Sequence, residues 1–381
     1  MARSEIEMQR IIIIAVLGWA ILWRGPDARA GLYHQDTIAA FDLDNTGYAN
    51  PLDPNIFMTS VNIIKAVDDR TSSEAKDLLR AVREREQQGT SKLTPQEVVN
   101  LAADLLRLRD DASRSKAMNL LQPLTRRPPA GYEFMILSLQ AHAHGVREEY
   151  PDAAVLADSA LNDYDFPKQL LSLSPEQLVW YRRFEREYYL PFLRQRSRNL
   201  KATVRDGLDP IFPRPAKEKL QPVHFIGNSG NYEAGTIAAA EKAKLPPDAI
   251  AIVQQLILWN PDDGRLWWQL AELYNAVGDI KAAARIFDQC TRELKYTNRE
   301  LMEHRSIVMA AVDAQLEIET QLADTRKRAE EEKKLKAQED ERRRFLMVAV
   351  GVAIVIVIIS YWQSREFIRR MRRNRVMNAN G

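Results

Sequence analysis

The sequence predicts an all-α protein: a superhelix of helical hairpins, then a charged stalk helix and one C-terminal membrane-spanning helix. Three observations predict it. Apolar residues recur at helical spacing through most of residues 72–322, an uncharged run occupies Phe345 to Trp362, and proline- and glycine-rich stretches punctuate the helical patterns. With 381 residues, 45% of them hydrophobic, the chain is long and apolar enough to bury a real core. Its 54 basic and 52 acidic side chains nearly cancel at +2, so no chain-wide field draws in nucleic acid, and none is expected as a partner. Cys290 is the single cysteine, which excludes an intramolecular disulfide, and no Cys/His cluster has metal-ligand spacing. No cofactor is expected.

Two apolar segments set the expected topology. Residues Ile11 to Trp23 follow Arg3 and Arg10 and would make a helix of only about 20 Å, short for a bilayer. They suit a secretory signal, and Pro26 and Ala28-Arg29-Ala30 supply a breaker and a small-x-small cleavage site before Gly31. Residues 1–30 are therefore expected to be a signal peptide, with an uncleaved signal anchor as the alternative. The eighteen residues Phe345–Trp362 reach about 27 Å as a helix, enough to span. Tyr361 and Trp362 stand where aromatic rings favour the interface. The 363–381 tail carries Arg365, Arg369, Arg370, Arg372, Arg373 and Arg375 against Glu366 alone, which predicts a cytoplasmic C-terminus and an extracytoplasmic body on a bacterial-type inner membrane.

Periodicity is clearest between Gly264 and Thr297. Trp267, Leu270 and Tyr274 share one face of a first helix, Gly278 ends it, and Ala283 is small enough to let a second helix, carrying Phe287 and Cys290, pack closely. With Ala271, these residues fall on the W-x-x-L-G-x-x-Y and A-x-x-x-F positions of the tetratricopeptide repeat, and the segment resembles that family. One unit earlier, Ala249, Val253, Leu256 and Pro261 match the second-helix and terminal positions, after a weaker first helix near Tyr232 to Lys244, so that 230–297 holds two units. Val98 to Gly131 keeps the spacing through Leu101, Leu105, Leu108, Ala117, Leu121, Leu124 and Pro129, and Tyr132–His144 with Asp152–Asn162 forms another pair. Residues 72–166 thus read as degenerate hairpins behind a loop-rich segment at 31–71. The resemblance implies a right-handed superhelix whose concave face binds a protein or an extended peptide, with no buried reactive cavity.

Elsewhere the repeat pattern lapses. In 167–229, Ser174-Pro175-Glu176 opens a helix crowded with Trp180, Tyr181, Phe184, Tyr188, Tyr189 and Phe192, which predicts burial; Pro210, Pro213, Pro215 and Pro222 then impose an extended connector. Leu301, Val308, Val312, Leu316 and Leu322 predict a helix capping the array. Asp324 to Arg344 is almost wholly charged, with Glu330/Lys334 and Glu332/Lys336 at i, i+4, and completes a solvated stalk over 298–344.

Few residues invite a chemical role. Phe41-Asp42-Leu43-Asp44-Asn45-Thr46 resembles the first motif of haloacid dehalogenase-type phosphatases, which implies Asp42 as nucleophile and Asp44 as acid-base group. Asp42, Asp44, Thr46, Gly47 and Asp53 also approximate a calcium loop, and the third reading is a plain Asp/Asn/Gly/Pro turn entering the first helix. Scattered histidines, His142 and His144 among them, make no metal pair. Trp268, adjacent to the core Trp267, must point elsewhere and is the candidate for a protein-binding groove, or for packing on the next repeat. The expected function is a non-enzymatic, membrane-anchored scaffold in the cell envelope. Its rivals are a calcium-binding or phosphatase-like domain at Asp42/Asp44 and a tether whose basic tail binds anionic lipid or a cytoplasmic partner.

Overall fold

Local signals fix where the helices begin. In α1 (Pro54–Ala66) the Asp53 carboxylate accepts the Asn55 N–H with Pro54 in the first turn, and Ser72 does the same for Ala75 at the start of α2 (Ser73–Gln87). A reciprocal capping box between Thr94 and Glu97 opens α3 (Pro95–Arg107), and Asp110 caps α4 (Asp111–Arg126). Helices α5 (Glu133–Val146) and α6 (Tyr150–Asp163) follow. A second capping box, Ser174 with Gln177, opens α7 (Pro175–Phe184), which runs through a π-turn at Glu185–Tyr189 into α8 (Leu190–Asn199). The short α9 (Ala239–Lys242) precedes α10 (Ala249–Trp259), α11 (Gly264–Ala276), α12 (Ile280–Asp288) and the long α13 (Arg299–Met377).

This computed structural model describes residues 40–89, 92–167, 173–199, 207–212 and 221–377, with side chains through Glu366. The expected signal segment, with its cleavage site before Gly31, lies outside them. Among the described residues the architecture is all-helical, its only β feature being an isolated bridge between Leu43 and Ala49. The chain divides into two units, residues 1–312 and 313–381.

In the first unit, consecutive helices pack as antiparallel pairs, α3 on α4, α5 on α6 and α11 on α12, with α4 against α5 and α10 against α11 linking neighbours. The residues expected to form the repeat core are buried: Trp267, Leu270, Ala271, Ala283, Phe287 and Cys290 have no exposed surface, and Tyr274, Ala249 and the aromatic group of α7 and α8 very little. Pro261 is buried as well and accepts the Trp267 indole N–H at 2.9 Å. Gly278 sits at φ +90° in the α11–α12 turn, a conformation that costs an L side chain roughly 1–2 kcal/mol.

Two expectations are corrected and one is extended. The 31–71 segment is not simply loop-rich, because Pro54–Ala66 is a full helix whose Phe57 and Val61 are buried. The first helix expected at Tyr232–Lys244 shrinks to Ala239–Lys242. Gly230 and Gly235 take positive φ, and the Asn275 side chain holds the backbone between them, donating to the Glu233 carbonyl (2.9 Å) and accepting the Gly235 N–H (2.7 Å). The stalk and apolar segments, finally, belong to one unbroken helix, α13.

The N-terminal segment then returns to the C-terminal hairpins. Gln254 of α10, fully buried, accepts the Leu52 N–H at 2.9 Å and donates to the Leu52 carbonyl at 3.0 Å, reading that backbone as a neighbouring strand would. Phe57 packs on Trp267 at 5.7 Å between ring centroids, Phe41 on Trp180 at 5.6 Å, and Arg285 donates to the Asn55 side chain. Because α1 touches both α2 and α10, the line of helices closes on itself.

The second unit is simpler. Every residue from 316 to 366 of α13 is exposed, and the helix contains an eighteen-residue stretch of mean hydropathy 2.7 that is long and apolar enough to cross a membrane.

Phe57→Ala removes the ring that joins the closing segment to Trp267. It is expected to lower the unfolding free energy by about 3–5 kcal/mol, measured by urea denaturation of the detergent-solubilised chain followed by circular dichroism.

Candidate functional site

Closure leaves a cleft of about 590 Å³ inside the first unit, bounded by α1 and α2, the ends of α3 and α5, the start of α4 and the 258–265 segment between α10 and α11. Apolar residues such as Ile63, Leu78 and Leu258 share its lining with six arginines. Most of those guanidiniums are locked to carboxylates. Asp104 binds both Arg85 and Arg107, the latter at 3.3 Å. Asp262 takes Lys65 of α1 at 3.2 Å and also Arg109, whose Nε lies 3.3 Å from Asp68. One acid thus ties the closing helix to the α3–α4 turn.

Arg196 of α8 is the most buried of the six. Its Nη2 donates to Asp209 at 2.6 Å and to Asp263 at 2.8 Å, and Arg265 Nη1 stands 3.4 Å from Asp209. Burial works against the Arg196 charge, but Asp263 and Asp209 more than offset it and push its pKa up. Burial likewise raises the Asp209 carboxyl, against the pull of Arg196 and Arg265. Asp263 serves twice, since it also accepts the Arg265 and Leu266 N–H groups as the N-cap of α11.

His142 shares the cleft with Arg114. It is 8% exposed, its ring meets Trp259 edge-on at 6.0 Å, and its Nδ1 makes no hydrogen bond. Burial, with the Arg114 charge adding to it, lowers its pKa from 6.5 to about 4, so the ring is neutral at neutral pH. Two arginine atoms of the cleft, Arg109 Nη1 and Arg114 Nε, are likewise buried without a partner. Arg109 moreover has φ +60°, in the turn that corresponds to that of Gly278; Glu148, at φ +59°, occupies the equivalent turn between α5 and α6.

The residues singled out in the sequence do not form this site. Trp268, expected to be able to line a binding groove, is fully buried. Its indole N–H donates at 2.7 Å to Glu272, which also bonds His304 Nδ1 at 2.7 Å beneath the stacked ring of Tyr232. It pins α11 to the start of α13, because a side chain beside a core position in a helix flanked on both sides has no free face. One face of α10 and α11 carries the chain's own Leu52 and Phe57.

The Asp42 loop is a tight turn. Asp44 accepts the Thr46 hydroxyl (2.7 Å), the Thr46 N–H (2.8 Å) and the Tyr48 N–H (3.0 Å), and the Thr46 hydroxyl leads the interactions that hold its carboxyl below the usual range. Asp53 is committed to the N-terminus of α1. No group of three His, Cys, Asp or Glu side chains among the described residues converges to hold a metal ion, and no strand there presents Asp42 as a nucleophile. The cleft has no counterpart in the expected open array, because closure by α1 is invisible in the repeat pattern. Its key residues, Arg109, Arg114, His142 and Arg196, lie in four different elements, and no local pattern in the sequence joins them.

In comparisons with family models, with curated proteins and with solved structures, the chain has no match.

Because the unfolded chain protonates His142 near its ordinary pKa of 6.5 and the native chain only near 4, stability falls as pH drops through that window, by up to about 3 kcal/mol. His142→Phe is expected to flatten that part of the pH profile, measured from urea midpoints between about pH 7 and about pH 4.5. Arg196→Ala leaves Asp209 and Asp263 without their buried cation, and a loss of about 3–5 kcal/mol is expected in the same assay at neutral pH.

Proposed function

We propose that this chain is a single-pass membrane protein whose tetratricopeptide-like helical unit acts as a non-enzymatic scaffold for other proteins on the extracytoplasmic side of the inner membrane. One observation carries the reading. The large apolar side chains from Phe345 to Trp362 are 51–76% exposed, with nothing packed on them. Leaving a dozen such groups in water forgoes on the order of 20 kcal/mol of burial, which a bilayer would supply. The arginines from Arg365 to Arg375 favour a cytoplasmic C-terminus and an exported hairpin unit.

Three features support a binding module over an enzyme. Paired helices with a closely packed core and a glycine-shaped turn at Gly278 suit a repeat scaffold. At the cleft Asp104, Asp262 and Asp263 are spent on arginines and on a helix cap, and Asp44 on its own turn. The N-terminal segment already covers part of the face where a peptide would lie, so partners engage the cleft mouth and the outer helices.

The topology is tested with single cysteines in a Cys290→Ala background. In intact cells a membrane-impermeant maleimide is expected to label Glu331→Cys and to spare Ala379→Cys until the membrane is opened; the reverse pattern defeats the reading. Crosslinking in the same cells should recover envelope proteins with the tagged chain. Loss of those partners on deletion of 363–381 would instead make the basic tail the binding element.

A further inference from the structure

We propose that the central cleft is a binding site for an organic phosphate, its phosphate group held by Arg109, Arg114 and His142 and its remainder lying along the apolar part of the lining. The inference rests on reading the hairpin unit as a binding module and adds the chemistry of what that module takes.

The cleft has the size of a small-molecule site, about 590 Å³, and its apolar residues are interleaved with charged ones from several elements. Its polar groups do not balance. Arg109 Nη1 and Arg114 Nε are N–H donors buried with no acceptor, and His142 Nδ1, on a ring more than nine-tenths buried, has no partner either. Buried donors of this kind are uncommon unless something supplies the acceptor.

The protein does not supply it from its own acids. Asp104 is held by Arg85 and Arg107, Asp262 by Lys65 and Arg109, and Asp263 by Arg196 and the α11 N-terminus. The other acidic residues of the lining, Glu74, Asp77 and Glu148, are exposed to solvent. An external anion would give these atoms their partner.

Two further points select its kind. Arg109 occupies a left-handed turn position where the α11–α12 hairpin has Gly278, so the chain keeps a guanidinium there against the preference of the backbone. Arg114 on α4 and Arg109 on the α3–α4 turn offer two donors, His142 on α5 offers a third in its Nδ1–H tautomer, and together they call for three acceptor oxygens. A tetrahedral phosphate presents them and a carboxylate presents two, and guanidinium forks match phosphate geometry.

The test uses the full-length chain in maltoside micelles, titrated with inorganic phosphate and with glycerol 3-phosphate against chloride at equal ionic strength. Tryptophan fluorescence, sensitive at Trp259 beside His142, and the ring NMR signals of His142 are the readouts. A saturable response to the phosphates and none to chloride is expected, weakened at least tenfold by Arg114→Gln and partly restored by Arg114→Lys. Thermal unfolding without phosphate checks that each variant is folded, and Arg109→Lys, which keeps the charge and loses the fork, serves if Arg114→Gln is not. A response to phosphatidic acid vesicles without one to glycerol 3-phosphate would identify a lipid headgroup as the source of the same phosphate.

No saturation in the wild type, an equal response to chloride, or unaltered binding by folded Arg114→Gln would overturn the site. Those results leave the scaffold reading standing as long as crosslinked partners are still recovered. That reading fails if no partner is recovered or if the cysteine-labelling pattern is reversed, whatever the titration gives.

Discussion

The architecture of the first unit depends on one long-range closure, the seating of residues 50–57 on α10 and α11. Gln254 makes it specific by satisfying both backbone groups of Leu52, and Phe57 against Trp267 adds apolar area. Without it the helices would form an open array with one continuous face toward solvent. With it, α1 becomes a wall, and the segment at Asp262 is drawn against Lys65 and Arg109. The cleft is a product of that closure and belongs to no single hairpin.

Charge pairing inside the closed unit follows from the same constraint. Six arginines brought to one cleft would repel one another and forfeit hydration, and acids from the 258–265 segment and the connector compensate for them. Pairing is complete for Arg196, caught between Asp209 and Asp263. It is incomplete at the junction of α3, α4 and α5, where Arg109 and Arg114 keep donors over. Such pairs contribute less to net stability than to fixing which segments meet, since each lost partner leaves a buried charge behind.

How much of this could be read in the sequence follows from which interactions are local. The helices α3 to α6 and α10 to α12 announce themselves through apolar spacing, because that signal acts within a few residues, whereas the caps at Thr94, Asp110 and Asp279 emerge from the structure. Burial of the aromatic group from Trp180 to Phe192 was legible because that much ring surface leaves no helix face to solvent. The lapse at 230–238 was not, since Asn275, some forty residues away in sequence, decides it. For Trp268 the sequence left groove lining and packing open, because the His304 that meets its partner Glu272 comes from α13, more than thirty residues further on. The cleft was illegible for the same reason, and the positive φ of Arg109 leaves no trace in a pattern of residue types.

Closure across a separation of 230 residues, from Asn55 to Arg285, also sets the order in which the molecule can be made. A ribosome delivers Phe41 and Phe57 long before Trp180, Trp267 and α10 exist to receive them, so the emerging chain carries uncovered aromatic side chains through most of its synthesis. The loop entropy of that late docking falls due only after the hairpins have formed. Docking of residues 41–57 is therefore a late step of folding, one that waits for the helices that receive it.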